Sequence, residues 1–163
     1  MAGHAFEAID PATIPAVLAT VDELWSLPSS FEATGVHHGY RQITVALSGR
    51  YQLDGFADWC DRFAPLRTVW LSRIQPGGFI VEHIDAGPFF ERWQIPLTTT
   101  GVLVQGGTPV SHQVGTPFRV RQFDWHSVHN HADADRVSLV IDRDVPLDVP
   151  TGPQRLRHNE RGT

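Results

Sequence analysis

The chain has 163 residues, a formal net charge of -5 and a single cysteine, Cys60. This length suits one domain with its own hydrophobic core, and one cysteine allows no disulfide within the chain, which fits a reducing compartment. The 13 Lys and Arg residues form no basic run before the tail, the start has no signal-peptide pattern, and no apolar run approaches the ~18 residues that span a membrane. We therefore expect a cytoplasmic protein that binds neither nucleic acid nor membranes.

The first predicted element is an amphipathic helix. Apolar residues recur at helical spacing from Ile14 to Trp25. Thr13 is the expected N-cap, Pro15 is tolerated in the first turn, and Pro28 is expected to end the helix. This helix is predicted to pack on a sheet and to carry no chemistry.

Short β-rich runs separated by Gly- and Pro-rich turns follow the helix. Strands are predicted at 42–47, 68–74, 79–84, 93–98, 102–105, 118–123 and 136–142, and a short helix at 56–63. This spacing is typical of a sandwich or a closed double-sheet barrel. Residues 1–150 are expected to form one domain, and the polar, basic segment 151–163 a loosely held tail.

His83 and Asp85 form the first candidate functional motif. On a strand, residues i and i+2 point the same way, so this pair presents an imidazole beside a carboxylate. A third ligand from a distant strand would complete two histidines and one carboxylate, a set that suits iron(II) and leaves coordination positions open. Alone, His-x-Asp is a common chance pattern.

The segment that begins at His126 offers the second half of the motif. His126, His129 and His131 are each close enough in sequence to supply the third ligand. Arg136 and Ser138 share one face of the following predicted strand, and a buried Arg with a hydroxyl can bind the far carboxylate of a dicarboxylate. The alternative is a structural ion pair for Arg136 and a solvent-facing Ser138.

The spacing of residues between Trp70 and Asp142 resembles that of the aspartyl/asparaginyl β-hydroxylases and the related bacterial free-proline hydroxylases. That family has a Ser eleven residues before the first metal His, a Pro-Gly turn between them and an Arg nine residues after that His. The matching positions are Ser72, Pro76-Gly77, His83 and Arg92. Around its distal His, the family has a Gly eleven residues before, and a Val, an Asn and an Arg two, four and ten residues after. The matching positions are Gly115, His126, Val128, Asn130 and Arg136.

The resemblance implies a mainly β, double-stranded β-helix (jelly-roll, cupin-like) fold with a flanking N-terminal helix. It also implies a dioxygenase that uses iron(II), O2 and 2-oxoglutarate and releases succinate and CO2. The implied iron ligands are His83, Asp85 and His126, and the ten-residue spacing to Arg136 favours His126 over His129. The implied residues around 2-oxoglutarate are Arg136, Ser72, Ser138 and Gln94.

Two departures from the family bear on these roles. Gln94 stands where the family usually has a His that helps to hold 2-oxoglutarate, and Gln can still donate one hydrogen bond. Asp85 is present, whereas animal β-hydroxylases lack it, which places the chain nearer the bacterial small-molecule branch.

The expected reaction is hydroxylation of an amino acid, either free or within a small molecule or peptide. Arg92 is predicted to bind a substrate carboxylate, Phe89 and Trp93 to wall the pocket, and His37 to lie in a loop that closes over it. Plain core roles for the aromatics and a surface role for His37 are the alternatives. The sequence leaves open the substrate, the carbon attacked and the oligomeric state.

Two other functions also fit parts of the sequence. A cupin-type metal enzyme without 2-oxoglutarate fits the Pro-Gly-Gly before His83, but it predicts His-x-His and a Glu in the first motif and gives Arg136 no role. A non-catalytic jelly-roll module that binds a small acid needs no metal, and His83 and Asp85 would then be surface residues.

Overall fold

The computed structural model describes residues 6–26, 37–85, 90–98, 101–121 and 123–144. The predicted tail, Pro28 and Phe89 lie outside these ranges. The described strands are β1 (His38–Leu47), β2 (Arg50–Tyr51), β3 (Leu66–His83), β4 (Phe90–Pro96), β5 (Val102–Gln105), β6 (Thr108–Val110), β7 (Phe118–Val120), β8 (His126–His129) and β9 (Arg136–Asp144). The α-helices are α1 (Ile14–Ala19) and α2 (Ala57–Cys60), and 3-10 helices span Asp22–Ser26 and Asp61–Phe63. No helix in these ranges is long and apolar enough to cross a membrane.

The predicted N-terminal helix is two short helices. α1 ends at Ala19, and a 3-10 helix begins at Asp22. The Thr20 hydroxyl donates to a backbone carbonyl one turn earlier, a local bond that competes with helix propagation. Thr13 is not a side-chain cap as predicted, because its hydroxyl donates to the carbonyl oxygen of Asp10 at 2.8 Å. The apolar spacing nevertheless identified the buried residues Ile14, Val21 and Trp25.

β3 is one continuous strand where the sequence predicts two strands and a turn. Residues 66–74 pair with β9, whereas residues 79–83 pair with β8. Gly77 lies between these parts with a φ of 72°, a left-handed conformation that glycine adopts without strain. The strand therefore bends at the predicted turn and continues, which carries it from one arm of the sheet into the other.

The described pairings are all antiparallel, and the sheet curls into a half-barrel. One arm has the order β2-β1-β3-β9-β4-β7, and the other has the order β3-β8-β5-β6. The predicted mainly β fold with a small helical part is confirmed, and a strand shared by two antiparallel arms agrees with a jelly roll. β2, β6 and β8, which have two to four residues each, were not predicted.

Alternation along the strands separates the core from the candidate site. Leu71 on β3, Ile95 on β4 and Leu139 on β9 point into the main core, which also contains the N-terminal helices. Their neighbours in the chain point to the opposite, concave face of the sheet. That face holds Trp70, Ser72, Arg92, Gln94, Arg136, Ser138 and Asp142.

Candidate metal centre

Three potential metal ligands, His83, Asp85 and His126, meet where the two arms of the sheet join. His83 ends β3 and is paired directly with His126, which begins β8. One ligand atom from each of the three residues lies within 4.8 Å of the others. Nε2 of His126 is 3.2 Å from Oδ2 of Asp85, and Nε2 of His83 is 3.6 Å from Oδ1 of Asp85.

Backbone carbonyls orient both imidazole rings. Nδ1 of His83 lies 2.8 Å from the carbonyl oxygen of Val81, and Nδ1 of His126 lies 3.1 Å from that of Asp124. A carbonyl oxygen only accepts a hydrogen bond, so each Nδ1 carries a proton and each Nε2 faces the shared centre. Two imidazole nitrogens and one carboxylate are a donor set that fits iron(II) and other first-row divalent metals.

Asp85 is ionised, and it favours a positive charge on its neighbour. Burial alone would raise the pKa of Asp85, but the hydrogen bond from His126 and the charge of Arg92 lower it to about 2. Burial alone would lower the pKa of His126, but the hydrogen bond with Asp85, the backbone contact with Asp124 and the charge of Asp85 together raise it above its ordinary value. The centre therefore attracts a cation, and a metal ion would replace the proton on His126.

Arg92 lies beside this centre and has two carboxylate partners. Its Nε and Nη2 donate to Oδ1 and Oδ2 of Asp142 at 2.8 and 2.9 Å, and its Nη1 forms an ion pair with Asp85. Burial alone would lower the pKa of Arg92, but the hydrogen bonds and charges of Asp142 and Asp85 together raise it. The predicted contact between Arg92 and a substrate carboxylate stays a prediction.

Arg136 is a buried cation with few partners. Its side chain is 1% exposed, its Nη2 lies 3.4 Å from Oε1 of Gln94, and its Nε and Nη1 have no hydrogen-bond partner in the described structure. Burial lowers its pKa to about 10, so the guanidinium is still charged at neutral pH. The hydroxyl of Ser138 on the same face is also buried without a partner. An unpaired buried charge is unfavourable, and an anionic ligand would compensate it.

A cavity of about 390 Å³ lies at the metal triad and stops short of Arg136 and Ser138, which are not among its lining residues. The three potential metal ligands line it, together with Tyr40, Ser72 and Gln94. Arg136 lies behind Gln94, and Ser138 is paired directly with Ser72. The cavity therefore lies between a potential metal site and a cluster of hydrogen-bond donors.

His37, the predicted loop residue, also lines this cavity. Its Nδ1 accepts a hydrogen bond from the backbone N–H of Val81 at 3.3 Å, and its ring centroid is 6.2 Å from that of His83. Burial, and then the nearby charge of His83, lower the pKa of His37. It is therefore a neutral imidazole whose Nε2 carries the proton.

The prediction that Trp93 walls the pocket is wrong. Side chains alternate along β4, so Trp93 points away from the face that carries Arg92 and Gln94. Its ring centroid lies 4.8 Å from that of Phe6 and 5.9 Å from that of Phe63, at the edge of the main core. The second predicted aromatic wall residue, Phe89, lies outside the described residues.

His126, rather than His129, lies with His83 and Asp85. His129 is not among the residues that line the cavity. Its ring stacks on those of Phe79 and His131, with centroids 6.2 and 5.6 Å away. It belongs to a partly exposed aromatic stack on another part of the surface.

Tyr40, Trp70 and Asp142 are polar or aromatic cavity residues that were not predicted from the sequence. Period-two alternation could have identified two of them, since Trp70 lies two residues before Ser72 and Asp142 lies four residues after Ser138. Tyr40 had no comparable signal, because the predicted strand began only at residue 42. Its hydroxyl lies 3.1 Å from Oε1 of Gln42, and burial raises its pKa.

No protein-family profile and no curated protein matches the sequence. Solved structures with a similar fold include a Cupin 2 conserved barrel domain protein from Salinispora arenicola, with 17% identity, coverage of 68% of this chain and 80% of that chain, and a TM-score of 0.47. A cupin-2 domain from Rhodospirillum rubrum has 13% identity, coverage of 75% and 70%, and a TM-score of 0.47. A predicted oxalate decarboxylase from Thermotoga maritima has 16% identity, coverage of 66% and 85%, and a TM-score of 0.42. With such low sequence identities and TM-scores, the structural similarity assigns neither a family nor an activity to this chain.

Proposed function

We propose that this chain is an iron(II)- and 2-oxoglutarate-dependent dioxygenase that hydroxylates an amino acid, either free or within a small molecule or peptide. The observation that carries the proposal is the buried guanidinium of Arg136, whose Nε and Nη1 have no partner and whose Nη2 contacts Gln94, a residue that lines the same cavity as the metal triad. A triad alone supports any metal enzyme of this fold. A buried cation next to the same cavity supports a ligand with one end for the metal and an anionic end for Arg136.

2-Oxoglutarate has these two ends. Its 2-oxo acid end chelates a metal, and its far carboxylate suits a guanidinium that has free N–H groups. In this proposal His83, Asp85 and His126 would hold iron(II). The donors for the far carboxylate would be Arg136, Ser138, Ser72, Gln94 and Tyr40. When bound, iron(II) couples the conversion of 2-oxoglutarate and O2 to succinate and CO2 with hydroxylation of a substrate C–H bond.

The protein positions the reactants and limits the access of water. Leu103, Val120 and Val128 line the cavity with apolar surface, which reduces the water near the reacting atoms. His37, whose Nδ1 accepts a hydrogen bond from the backbone N–H of Val81, lines the same cavity.

The proposal is tested by visible spectroscopy without oxygen. Iron(II) is added to metal-free protein, followed by 2-oxoglutarate, and the charge-transfer band of the chelate is recorded. Wild type is expected to show the band, and His126→Ala is expected to lose it. His129→Ala is the matched control, because His129 lies outside the cavity, and it should behave like wild type. Arg136→Met should require far more 2-oxoglutarate to reach the same absorbance.

The same titration separates the two alternatives. Metal binding by wild type with no band at any 2-oxoglutarate concentration would support a metal enzyme that does not use this co-substrate. Failure of wild type to bind metal would support a non-catalytic module that binds a small acid.

A further inference from the structure

Asp85 is the potential metal ligand that no strand holds in place. β3 ends at His83, and Asp85 lies in the segment beyond it. Its side chain is 11% exposed, so neighbouring side chains surround it. A carboxylate ligand outside regular structure needs such neighbours to keep its oxygens directed at the metal.

Arg92 provides a fixed support for this carboxylate. Arg92 on β4 and Asp142 on β9 are directly opposite in the sheet, and their side chains form a two-pronged pair at 2.8 and 2.9 Å. This pair uses Nε and Nη2, which leaves Nη1 on the other edge of the guanidinium, and Nη1 contacts Asp85. The order of contacts is therefore Asp142, Arg92, Asp85.

The surroundings of Arg92 restrict its movement. Its guanidinium carbon lies 4.9 Å from the ring centroid of Trp70 and 5.5 Å from that of Phe90. A turn of Arg92 toward a substrate would leave Asp142 as a largely buried carboxylate without its two-pronged partner, or would remove the guanidinium from Asp85, and either change is unfavourable. A fixed role in the protein suits this arrangement better than binding of a substrate that arrives and leaves.

We propose that Arg92, fixed by Asp142, is a positioning residue that orients the Asp85 carboxylate for the metal. The inference rests on the metal site of the proposed function and is independent of 2-oxoglutarate. It differs from the predicted role of Arg92, which was to bind a substrate carboxylate and which stays a prediction.

The test is a titration of the full chain with cobalt(II) alone, with both the affinity and the visible ligand-field spectrum recorded. The main variant combines Arg92→Met with Asp142→Leu. Both charges of the pair are removed together, so no uncompensated charge from this pair stays in the interior. We expect the double variant to fold and to bind cobalt(II) about 10- to 100-fold more weakly than wild type, with an altered spectrum. Arg92→Lys keeps the positive charge but lacks the planar guanidinium that contacts both carboxylates. Its cobalt(II) affinity should lie between those of wild type and the double variant.

Arg119→Met is the matched control. Arg119 pairs with Glu91 at 3.1 Å, is 46% exposed and does not line the cavity, so its loss should leave cobalt(II) binding unchanged. Equal affinity and equal spectra for wild type and the double variant would overturn the positioning role and leave the proposed function intact. Failure of wild type itself to bind cobalt(II) would overturn both. A double variant that does not fold would show that the pair serves the structure, and this too would overturn the positioning role.

Discussion

Gly101 lies directly against the side chain of Arg136. A Cβ atom at position 101 would be 2.3 Å from Cδ of Arg136, far inside van der Waals contact. Only glycine leaves room for the guanidinium where it lies. The position of Arg136 therefore depends on a residue that contributes no side chain.

Gly101→Ala is expected to displace Arg136 and to weaken 2-oxoglutarate binding by about tenfold or more, because a displaced guanidinium loses its charge-assisted contacts with the far carboxylate. Metal affinity should not change. The measurement is calorimetric titration of 2-oxoglutarate into manganese(II)-loaded protein. Gly107→Ala is the control: Gly107 has a φ of 76° against 82° for Gly101, but nothing lies within 4 Å of its would-be Cβ. Equal weakening in both variants would mean that backbone strain, and not Arg136, is responsible.

Arg136→Met is expected to separate stability from binding. It removes a buried cation that has unpaired N–H groups, so the ligand-free protein should be as stable as wild type or more stable by about 1–3 kcal/mol. The increase in melting temperature that 2-oxoglutarate gives to the metal-loaded protein should disappear. Thermal unfolding with and without both ligands measures the two effects. A loss of several kcal/mol in the ligand-free variant would instead indicate that Arg136 serves the stability of the fold.

We expect the side chain of Asn130 to stabilise the fold through its hydrogen bonds to the backbone. Its Nδ2 donates to the carbonyl oxygens of Ile74 and Ala134 at 2.9 and 2.8 Å, and its side chain is fully buried. Asn130→Ala leaves these acceptors without their donor and should lower the free energy of unfolding by about 1–3 kcal/mol, measured by urea denaturation. His131→Ala, at an exposed neighbour, should change it by less than about 0.5 kcal/mol. A neutral Asn130→Ala would contradict this role.

The pH dependence of the metal site follows from His126. Because its pKa is raised above 6.5, the proton on His126 stabilises the ligand-free fold below pH 6.5, and this contribution is lost as the pH rises through the raised value. Metal binding removes the same proton, so cobalt(II) affinity should fall roughly tenfold per unit as the pH drops below the raised pKa. The check is a set of cobalt(II) titrations at several pH values. An affinity that stays constant from neutral pH to below 6.5 would contradict the raised pKa.

The parts of the site that depend on residue spacing along the chain could be predicted from the sequence. Period-two alternation placed Arg136 and Ser138 on one face, and the spacing resemblance placed His126 beside His83 and Asp85. The same alternation separates Trp93 from Arg92, but the predicted strand began only at residue 93, whereas β4 begins at Phe90, so Arg92 and Trp93 were not recognised as opposite-facing strand neighbours. Residue spacing thus found the donors but did not decide which side chains face the cavity.

The parts that depend on register between distant strands could not be predicted. Arg92 and Asp142 are 50 residues apart, and only the pairing of β4 with β9 shows that they are partners. From the sequence, the residues around Gly77 predict a turn that ends a strand. In the structure β3 is continuous, because it pairs with β9 before Gly77 and with β8 after it. Long-range pairing energy overrides the local turn signal there.

The most direct test of the central claim compares 2-oxoglutarate with pyruvate, which has the same 2-oxo acid end and lacks the far carboxylate. Both are titrated without oxygen into manganese(II)-loaded wild type and Arg136→Met. If one ligand extends from the metal triad to Arg136, wild type binds 2-oxoglutarate at least about 100-fold more tightly than pyruvate, and Arg136→Met loses this advantage while its affinity for pyruvate is unchanged. Equal affinities of wild type for the two acids, or an advantage that survives in Arg136→Met, would contradict the account.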